Sequence, residues 1–268
     1  MKDNIHNKKA LFFDIDGTIL SEITRKVPES AMCAIQKARQ NGCLTFINTG
    51  RTRSFVPDSI ANLGFDGILC GCGTEIVFEG KSLHHDVLPL ERCRGIGALV
   101  KKAGVGALFE GDHFYFYAPE RSSFDFMRKD WSFQDEDIEV IFDWSVEDEL
   151  RFEKFCLFTD EESDIELVKK TLEGKMDMID RSPGFYEVVP CGYSKAKSIQ
   201  KVQEIFGISL ENTYVFGDSS NDLSMFEYCP NSIAMEKHDP VLDPYTLFIT
   251  DSVENDGIEK AMVRLGLI

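Results

Sequence analysis

Residues 10–18 read Ala10-Leu11-Phe12-Phe13-Asp14-Ile15-Asp16-Gly17-Thr18, and this stretch decides the fold. Its apolar residues predict a buried strand, and two carboxylates follow where that strand ends. Gly17 lets the chain turn so that both carboxylates converge on one crevice, and α/β sheets bind ligands at the carboxyl ends of their strands. An Asp-x-Asp-Gly sequence can also simply end a strand and begin a turn, so this stretch alone leaves a structural role open.

Two later apolar runs also end in small, polar or acidic residues. The first is Cys43-Leu44-Thr45-Phe46-Ile47-Asn48, and Thr49-Gly50-Arg51 follows it with a hydroxyl and backbone amides. The second is Asn212-Thr213-Tyr214-Val215-Phe216, which Gly217-Asp218-Ser219-Ser220-Asn221-Asp222 follows. Lys195 adds one cation just before a helical pattern that spans Ala196 to Phe206 and closes at Gly207. Three strand ends therefore carry polar chemistry, which favours a functional site over an ordinary turn.

The alternation of strands and helices predicts a parallel sheet. Pro28 begins a helical pattern that ends before Gly42, so residues 10–48 read as a βαβ unit. The same alternation returns after Ser194, with strands expected at Tyr214, at 232–235 and at 247–250 and a final helix from Gly257. Two separated segments therefore build one sheet with right-handed crossovers.

The pattern changes between roughly residues 83 and 187. Helices are predicted at 91–102, 120–129 and 164–172, and strands at 105–110, 113–118, 152–159, 176–180 and 185–189. Hairpins alternating with helices indicate an independent α+β layer, so we predict domains at 1–82, 83–187 and 188–268, the first and last forming one core. His84 and His85 are interpreted as linker residues. The alternating aromatics of this layer, His113, Tyr115 and Tyr117 among them, either contact a substrate or pack, and packing is the more common role.

Composition narrows the class of partner. The chain has 268 residues, 43% of them hydrophobic, which suffices for a full core. Its net charge of −17 argues against nucleic acid or an anionic membrane surface as a general partner. It does not argue against a phosphorylated small molecule, because salt screens charges beyond about 10 Å. Eight scattered cysteines and a polar amino terminus predict a reduced, cytoplasmic protein without a membrane span.

Four motifs, in this order, resemble those of the haloacid dehalogenase (HAD) superfamily, and the likeness is closest to its Cof-type phosphatases. They are Asp14-Ile15-Asp16-Gly17-Thr18, Thr49-Gly50-Arg51, Lys195 and Gly217-Asp218-x-x-Asn221-Asp222. Further likenesses lie at 67–70, 186–190, 232–235 and 248–258, so the resemblance spans nearly the whole chain. It implies an α/β fold, a Rossmann-like parallel-sheet core with an inserted α+β cap of type II that closes over the core and excludes water.

A carboxylate that attacks a phosphoryl group needs a divalent cation with oxygen ligands to neutralise both charges, and Asp14 and Asp218 suit Mg²⁺. The resemblance implies that Asp14 is the nucleophile, which forms an aspartyl phosphate. It implies that Asp16 protonates the leaving oxygen, later activates water, and reaches the metal through its main-chain carbonyl. The resemblance also implies that Thr49 and Lys195 act in catalysis and hold the transferring oxygens. It implies that Gly50 and Asn221 bind the substrate. Asp222 would orient Lys195 and the metal ligands.

Each of these residues also has a structural alternative. Asp218 could cap the helix that follows it, Thr49 could be a turn hydroxyl, and Lys195 could be a solvated helix start. Two loops depart from the Cof-type pattern. Cys72-Gly73-Thr74 stands where Asn-Gly-Ala is common, and Met235-Glu236-Lys237-His238 stands where Met-Gly-Asn-Ala is common. Substrate contacts of relatives therefore do not transfer to these two loops.

The sequence predicts a Mg²⁺-dependent phosphatase that acts on a small phosphorylated metabolite. A sugar phosphate is favoured over a nucleotide or vitamin phosphate. Two alternatives stay open: a phosphomutase on the same core, which must exclude water and rebind a bisphosphate, and a catalytically idle metabolite-binding protein. The protein is expected to be a monomer or a small homo-oligomer, with no nucleic-acid or membrane partner.

Overall fold

The computed structural model describes residues 8–111, 114–125, 140–141 and 150–268. The described residues pack as two units. The first contains residues 8–50, 58–84 and 194–268, and the second contains residues 51–57 and the described part of 85–193. The limits 1–82, 83–187 and 188–268 stay a prediction for how the chain divides into independently folding domains.

Strands and helices alternate along most of the described chain. The strands are β1 (Ala10–Phe13), β2 (Leu44–Asn48), β3 (Gly67–Cys70), β4 (Glu75–Phe78), β5 (Lys81–His85), β6 (Gly106–Glu110), β7 (Phe114–Tyr117), β8 (Val140–Ile141), β9 (Lys154–Phe158), β10 (Met176–Ser182), β11 (Phe185–Pro190), β12 (Thr213–Gly217), β13 (Asn231–Ala234) and β14 (Phe248–Ile249). The helices are α1 (Glu29–Gln40), α2 (Asp58–Ala61), α3 (Leu90–Ala103), α4 (Ile165–Leu172), α5 (Lys195–Phe206), α6 (Leu223–Tyr228) and α7 (Gly257–Arg264).

The first unit is built on one mostly parallel sheet. Its described strands follow the order β14-β13-β12-β1-β2-β3-β4-β5, and neighbours from β14 to β3 run parallel. Strand β1 lies at the centre and is wholly buried, and the ring of Phe13 stacks on that of Phe216 at 4.5 Å. The predicted sheet from two separated chain segments is therefore confirmed. Because β1, β2 and β12 are parallel neighbours, the residues that follow them meet at one edge.

The hairpin of β4 and β5 corrects one interpretation of the sequence. His84 and His85 are not linker residues but the last two residues of strand β5, at the edge of the sheet. Glu79 and Gly80 join β4 to β5, and both have positive φ, 48° and 74°. A two-residue turn with both central residues in the left-handed region matches the twist of a hairpin. The Glu-Gly pair was therefore the local signal that sequence reasoning missed.

The second unit contains a separate sheet with helices on one face. The order of its described strands is β10-β11-β9-β6-β7-β8, with antiparallel pairs from β10 to β7. Helices α3 and α4 pack with one face of the sheet in a shared apolar core. Tyr115 belongs to this core and Tyr117 packs against it, which supports the packing role for both. His113 and residues 126–129 of the predicted helix 120–129 lie outside the described residues, and residues 122–124 form a short 3₁₀ turn.

In the described part of the chain, no helix combines the length and the apolar character needed to cross a bilayer. All eight cysteines fall within the described ranges, and each carries a free thiol.

Candidate active site

Asp14 occupies the end of the central strand of the first unit. It follows β1 directly, its backbone N–H donates to the carbonyl of Phe216 at 3.0 Å, and the residue is 3% exposed. Burial raises the pKa of Asp14 to about 7, and the nearby charge of Lys195 opposes this rise. The charges of Asp222 and Asp16 raise it further. The fold therefore holds a carboxylate where an additional cation would favour its ionised form.

Lys195 supplies the one ammonium group in contact with Asp14 among the described residues. It opens helix α5, whose N-cap is Ser194, and its side chain is completely buried. Its Nζ donates to Asp14 Oδ1 at 2.6 Å, to Asp222 Oδ1 at 2.6 Å and to Asn221 Oδ1 at 3.1 Å. Burial acts to lower the pKa of Lys195, but the two carboxylates outweigh it and hold that pKa above its ordinary value. Lys195 is therefore a fixed positive charge, not a solvated helix start.

The segment after β12 divides its two carboxylates between different tasks. Asp222 Oδ2 accepts the backbone N–H groups of Asp218 at 2.9 Å and Ser219 at 3.1 Å, while its Oδ1 faces Lys195. Asp222 thus orients its neighbours, and Ser219 and Asp222 together form the capping box of the turn that follows. Asp218 is not the cap, so the capping alternative for that residue is wrong.

Asp218 faces the crevice beside Asp14. Its Oδ1 accepts the hydroxyl proton of Thr18 at 2.9 Å. Burial raises the pKa of Asp218 to about 8, and the charges of Asp14 and Asp222 add to that rise. Gly17, with φ of 76°, passes so close that a Cβ there would overlap the carboxylate of Asp218. The glycine of the first motif therefore brings the β1 turn against the β12 turn.

Thr49 and Gly50 lie at the same edge, after β2. The backbone N–H of Thr49 donates to the carbonyl of Leu69 at 2.9 Å, and its carbonyl accepts the N–H of Cys72 at 3.1 Å. Thr49 is 2% exposed, whereas Gly50 is half-buried. Asp16 is half-buried three residues beyond β1, and its charge raises the pKa of Asp14. Strand adjacency therefore brings the residues that follow β1, β2 and β12 to the same end of the sheet, and Lys195 of helix α5 joins them through direct side-chain contacts with Asp14, Asn221 and Asp222.

Comparison with known proteins settles the family. A family model for haloacid dehalogenase-like hydrolases matches residues 11–262. This chain belongs to that family. It is 30% identical to the putative phosphatase YkrA of Bacillus subtilis over 271 residues, covering 98% of this chain and 99% of the relative. It is also similar to the 5-amino-6-(5-phospho-D-ribitylamino)uracil phosphatase YcsE of the same bacterium, 25% identical over 95% of this chain and 94% of that protein.

The solved structure of BT4131, described as a HAD subclass IIB sugar phosphatase, has a similar fold. Its TM-score to this chain is 0.79 at 28% identity, covering 97% of this chain and 100% of that one. The family, the phosphatase relatives and the shared fold together identify this chain as a phosphatase-type hydrolase with a Cof-type core and cap.

The acidic cluster of this hydrolase fits a divalent cation. Oxygen atoms of Asp14, Asp218 and Asp222 lie within 4.8 Å of one another. When all three are ionised, three negative charges and the one positive charge of Lys195 leave a charge of −2. Asp222 already accepts three hydrogen bonds, so Asp14 and Asp218 are the side chains best suited to bind the cation. Hard oxygen donors of this kind favour Mg²⁺, Ca²⁺ or Mn²⁺ over zinc.

Three polar residues of the site were missed by sequence reasoning. Thr18 donates to Asp218, Asn48 Nδ2 donates to the main-chain carbonyl of Lys195 at 3.1 Å, and Ser198 Oγ donates to the same carbonyl at 2.7 Å. The available signal was an amide at the end of an otherwise buried strand pattern. Asn48 is fully buried, and a buried amide must find partners.

The loop Met235-Glu236-Lys237-His238, which departs from the Cof-type pattern, borders a cavity of about 310 Å³ in the first unit. Asp218 and Gly17 line the same cavity, as do Lys237 and His238. Both ring nitrogens of His238 face acceptors: Nδ1 donates to the carbonyl of Met235 at 2.7 Å, and Nε2 donates to Asp243 Oδ1 at 2.9 Å. Two acceptors are both satisfied only when each ring nitrogen carries a proton, so these contacts favour the imidazolium form of His238.

We expect His238 to make the stability of the protein depend on pH. Burial acts to lower the pKa of His238, but the hydrogen bonds to Asp243 and Met235 outweigh it and raise that pKa above 6.5. The contribution of the His238 imidazolium to the free energy of unfolding is therefore fully present below pH 6.5. It is lost as pH rises through the pKa of His238 in the folded protein. Urea unfolding of the parent and of His238→Gln should show the parent's advantage shrinking between pH 6 and pH 9. An advantage that stays constant over this range contradicts the assignment.

Proposed function

We propose that this hydrolase is a Mg²⁺-dependent phosphatase that cleaves a small phosphomonoester through an aspartyl phosphate on Asp14. One observation carries the proposal: Asp14 is buried at the end of β1, in contact with Lys195 and in one cluster with Asp218. A buried carboxylate beside a fixed ammonium group and a second carboxylate suits nucleophilic attack on an anionic phosphoryl group.

In the first half-reaction, a carboxylate oxygen of Asp14 attacks phosphorus and the bond to the leaving oxygen breaks. Asp16 donates its proton to that leaving oxygen. In the second half-reaction, Asp16 accepts a proton from water, the water oxygen attacks phosphorus, and the bond to Asp14 breaks to release inorganic phosphate. When bound, the cation neutralises the charge of Asp14 and of the phosphoryl group, so that two anions can approach each other.

The other site residues hold the reacting group. We assign Lys195 to the equatorial phosphoryl oxygens, where negative charge is concentrated, together with the hydroxyl of Thr49 and the backbone of Gly50. Asn221 contacts Lys195 and is assigned to the same task. Asp222 orients Lys195 and the backbone of Asp218, and with it the metal ligands. The main-chain carbonyl of Asp16 is assigned to the cation.

The relatives support a small phosphorylated metabolite as substrate. BT4131 is described as a sugar phosphatase, and YcsE as a phosphatase of a phosphoribitylamino-uracil. We propose a sugar phosphate as the first substrate class. We also propose that the enzyme acts in the cytoplasm, where the eight free thiols would stay reduced. A panel of purified sugar phosphates, nucleotides, vitamin phosphates and bisphosphates, assayed for phosphate release with and without Mg²⁺, tests the proposal. Inertness on the whole panel would favour an idle binding protein, and isomerisation of a monophosphate that requires a bisphosphate would favour a phosphomutase.

We expect metal removal to silence the enzyme. Exhaustive chelation should abolish turnover, and added Mg²⁺ should restore it. Asp218→Asn should raise the Mg²⁺ concentration needed for half-maximal activity by at least about tenfold, because an amide is a weaker ligand than a carboxylate for a hard cation. Direct titration of Mg²⁺ by calorimetry gives the same comparison without turnover. Asp164→Asn is the matched control, since this exposed carboxylate caps α4 and an amide caps equally well. Undiminished turnover after chelation contradicts the metal assignment.

A further inference from the structure

Asn48 joins the two chain segments that carry Thr49 and Lys195. It is the last residue of β2 and is fully buried, and Thr49 follows it directly. Its Nδ2 donates to the main-chain carbonyl of Lys195 at 3.1 Å, in the first turn of α5. The same nitrogen lies 3.7 Å from the sulfur of Met225 in α6.

Ser198 completes the connection from the helix side. Its hydroxyl lies 3.0 Å from Asn48 Oδ1 and 2.7 Å from the carbonyl of Lys195, and its one proton can serve either acceptor. The side chain is buried, and Gly73 packs against it so closely that a Cβ on that glycine would lie 2.7 Å from the Cβ of Ser198. Both ends of the Asn48 amide therefore lie within hydrogen-bond distance of the first turn of α5, which packs closely against Gly73.

We infer that Asn48 and Ser198 are positioning residues, which set the distance between the hydroxyl of Thr49 and the ammonium of Lys195. This inference rests on the proposed phosphatase function. The Lys195 side chain is long, and its Nζ must meet Asp14, Asn221 and Asp222 at once. Its main chain is fixed by Asn48, whose own carbonyl carbon begins the peptide of Thr49. A single buried amide thus ties together two groups that are assigned to the same phosphoryl oxygens.

Positioning of this kind acts mainly on the transition state. A misplacement of about 1 Å in a catalytic group can lower a rate by about 10²-fold. Substrate binding depends less on the distance between the Thr49 hydroxyl and the Lys195 ammonium. The site is complementary to the five-coordinate transition state rather than to the four-coordinate phosphoryl group of the bound substrate. We therefore expect Ser198→Ala and Asn48→Ala to lower kcat by roughly 10- to 100-fold with KM changed less than about threefold.

Helix α5 offers a matched control in the Gln203–Thr213 pair. Gln203 Nε2 donates to Thr213 Oγ1 at 2.7 Å, both residues are buried, and the pair joins α5 to the start of β12. Thr213→Val removes this hydrogen bond between α5 and a strand, together with the one that Thr213 Oγ1 donates to the carbonyl of Ser209 at 3.0 Å, without touching the site. If Asn48 and Ser198 have a purely structural role, all three variants should lose stability, and the kcat of the two site variants should equal that of Thr213→Val.

The experiment compares the parent, Ser198→Ala, Asn48→Ala and Thr213→Val in the presence of Mg²⁺. It measures kcat, KM, the urea unfolding midpoint, and the affinity for orthovanadate by calorimetry, since vanadate adopts the five-coordinate geometry and needs no turnover. We expect both site variants to lose kcat and vanadate affinity together, while Thr213→Val loses only stability. The milder Ser198→Ala keeps the test valid if Asn48→Ala does not fold.

Several results would overturn the inference. Vanadate affinity and kcat in Ser198→Ala equal to those of Thr213→Val make the contact purely structural. A loss expressed only in KM also rejects it, because positioning for the transition state lowers kcat. A parent that binds vanadate but hydrolyses no monoester rejects the proposed function and leaves the vanadate comparison to decide the positioning role. A parent that neither binds vanadate nor hydrolyses any ester rejects both.

Discussion

Asp14→Asn should lose more than about 10³-fold of phosphatase activity while the protein keeps its fold, because an amide cannot attack phosphorus. The stability of the metal-free protein should hold or rise. Burial raises the pKa of Asp14 to about 7, so ionising it destabilises the folded state as pH rises through the range between its ordinary pKa and 7. The asparagine carries no charge and avoids this loss. Single-turnover assays with Mg²⁺ measure the loss of activity. Urea unfolding at pH 8 in the presence of chelator measures the stability of the metal-free protein.

Two comparisons sharpen the test of Asp14. Asp16→Asn should lose roughly 10²- to 10⁴-fold, the usual contribution of a general acid and base, and most on esters with poor leaving groups. Asp164→Asn, the same chemical change at the exposed cap of α4, should leave activity unchanged. Full activity in Asp14→Asn removes the aspartyl phosphate from the mechanism, whatever the behaviour of the other variants.

Lys195→Met should cost both activity and stability. Its ammonium contacts two buried carboxylates at 2.6 Å, so its removal leaves Asp14 and Asp222 without their cation. Removing one partner of a buried ion pair typically costs about 3–5 kcal/mol. Turnover should fall by about 10³-fold, the scale expected for losing one charged donor to the transition state. Urea unfolding in the presence of chelator and steady-state kinetics with Mg²⁺ measure the two losses.

The loss of stability in Lys195→Met should depend on pH and on metal. Burial raises the pKa of Asp14 to about 7, and without the ammonium its protonation relieves an uncompensated buried charge. The variant should therefore recover stability as pH falls from 8 towards 5. Added Mg²⁺ should also recover part of it by mass action. Lys197→Met, an exposed position two residues along the same helix, is the control and should behave as the parent. Equal stability of Lys195→Met and Lys197→Met at pH 8 would show that the buried contacts contribute nothing.

Much of the core could be predicted from the sequence, because the deciding signals are local. The four apolar residues of β1 are all buried at the centre of the sheet, and polar residues follow β1, β2 and β12, as their hydrophobic patterns indicate. Parallel pairing then brings Asp14, Thr49 and Asp218 to one edge, since a parallel sheet aligns its carboxyl ends. Strand polarity and hydrophobic periodicity are properties of short segments, and a single sequence displays them.

The division of labour among the carboxylates was decided only by the tertiary structure. Asp218 and Asp222 lie four residues apart in the same motif. The oxygens of Asp222 accept hydrogen bonds from Lys195 and from two backbone amides, whereas Asp218 faces Asp14. Their roles differ because burial and the neighbours supplied by β1 and α5 differ, and neither is encoded in the local sequence.

The sequence by itself determined which residue types stand at which strand ends, and hence the family and the class of chemistry. The contact of Asn48 with Lys195 and Ser198, 147 and 150 residues away along the chain, was decided by the packing of α5 against β2. The same holds for the raised pKa values of Asp14 and Asp218, which depend on how much of each carboxylate is removed from water. Hydrogen bonds across such separations and desolvation in a crevice arise only when distant segments meet, and no pattern within one segment carries them.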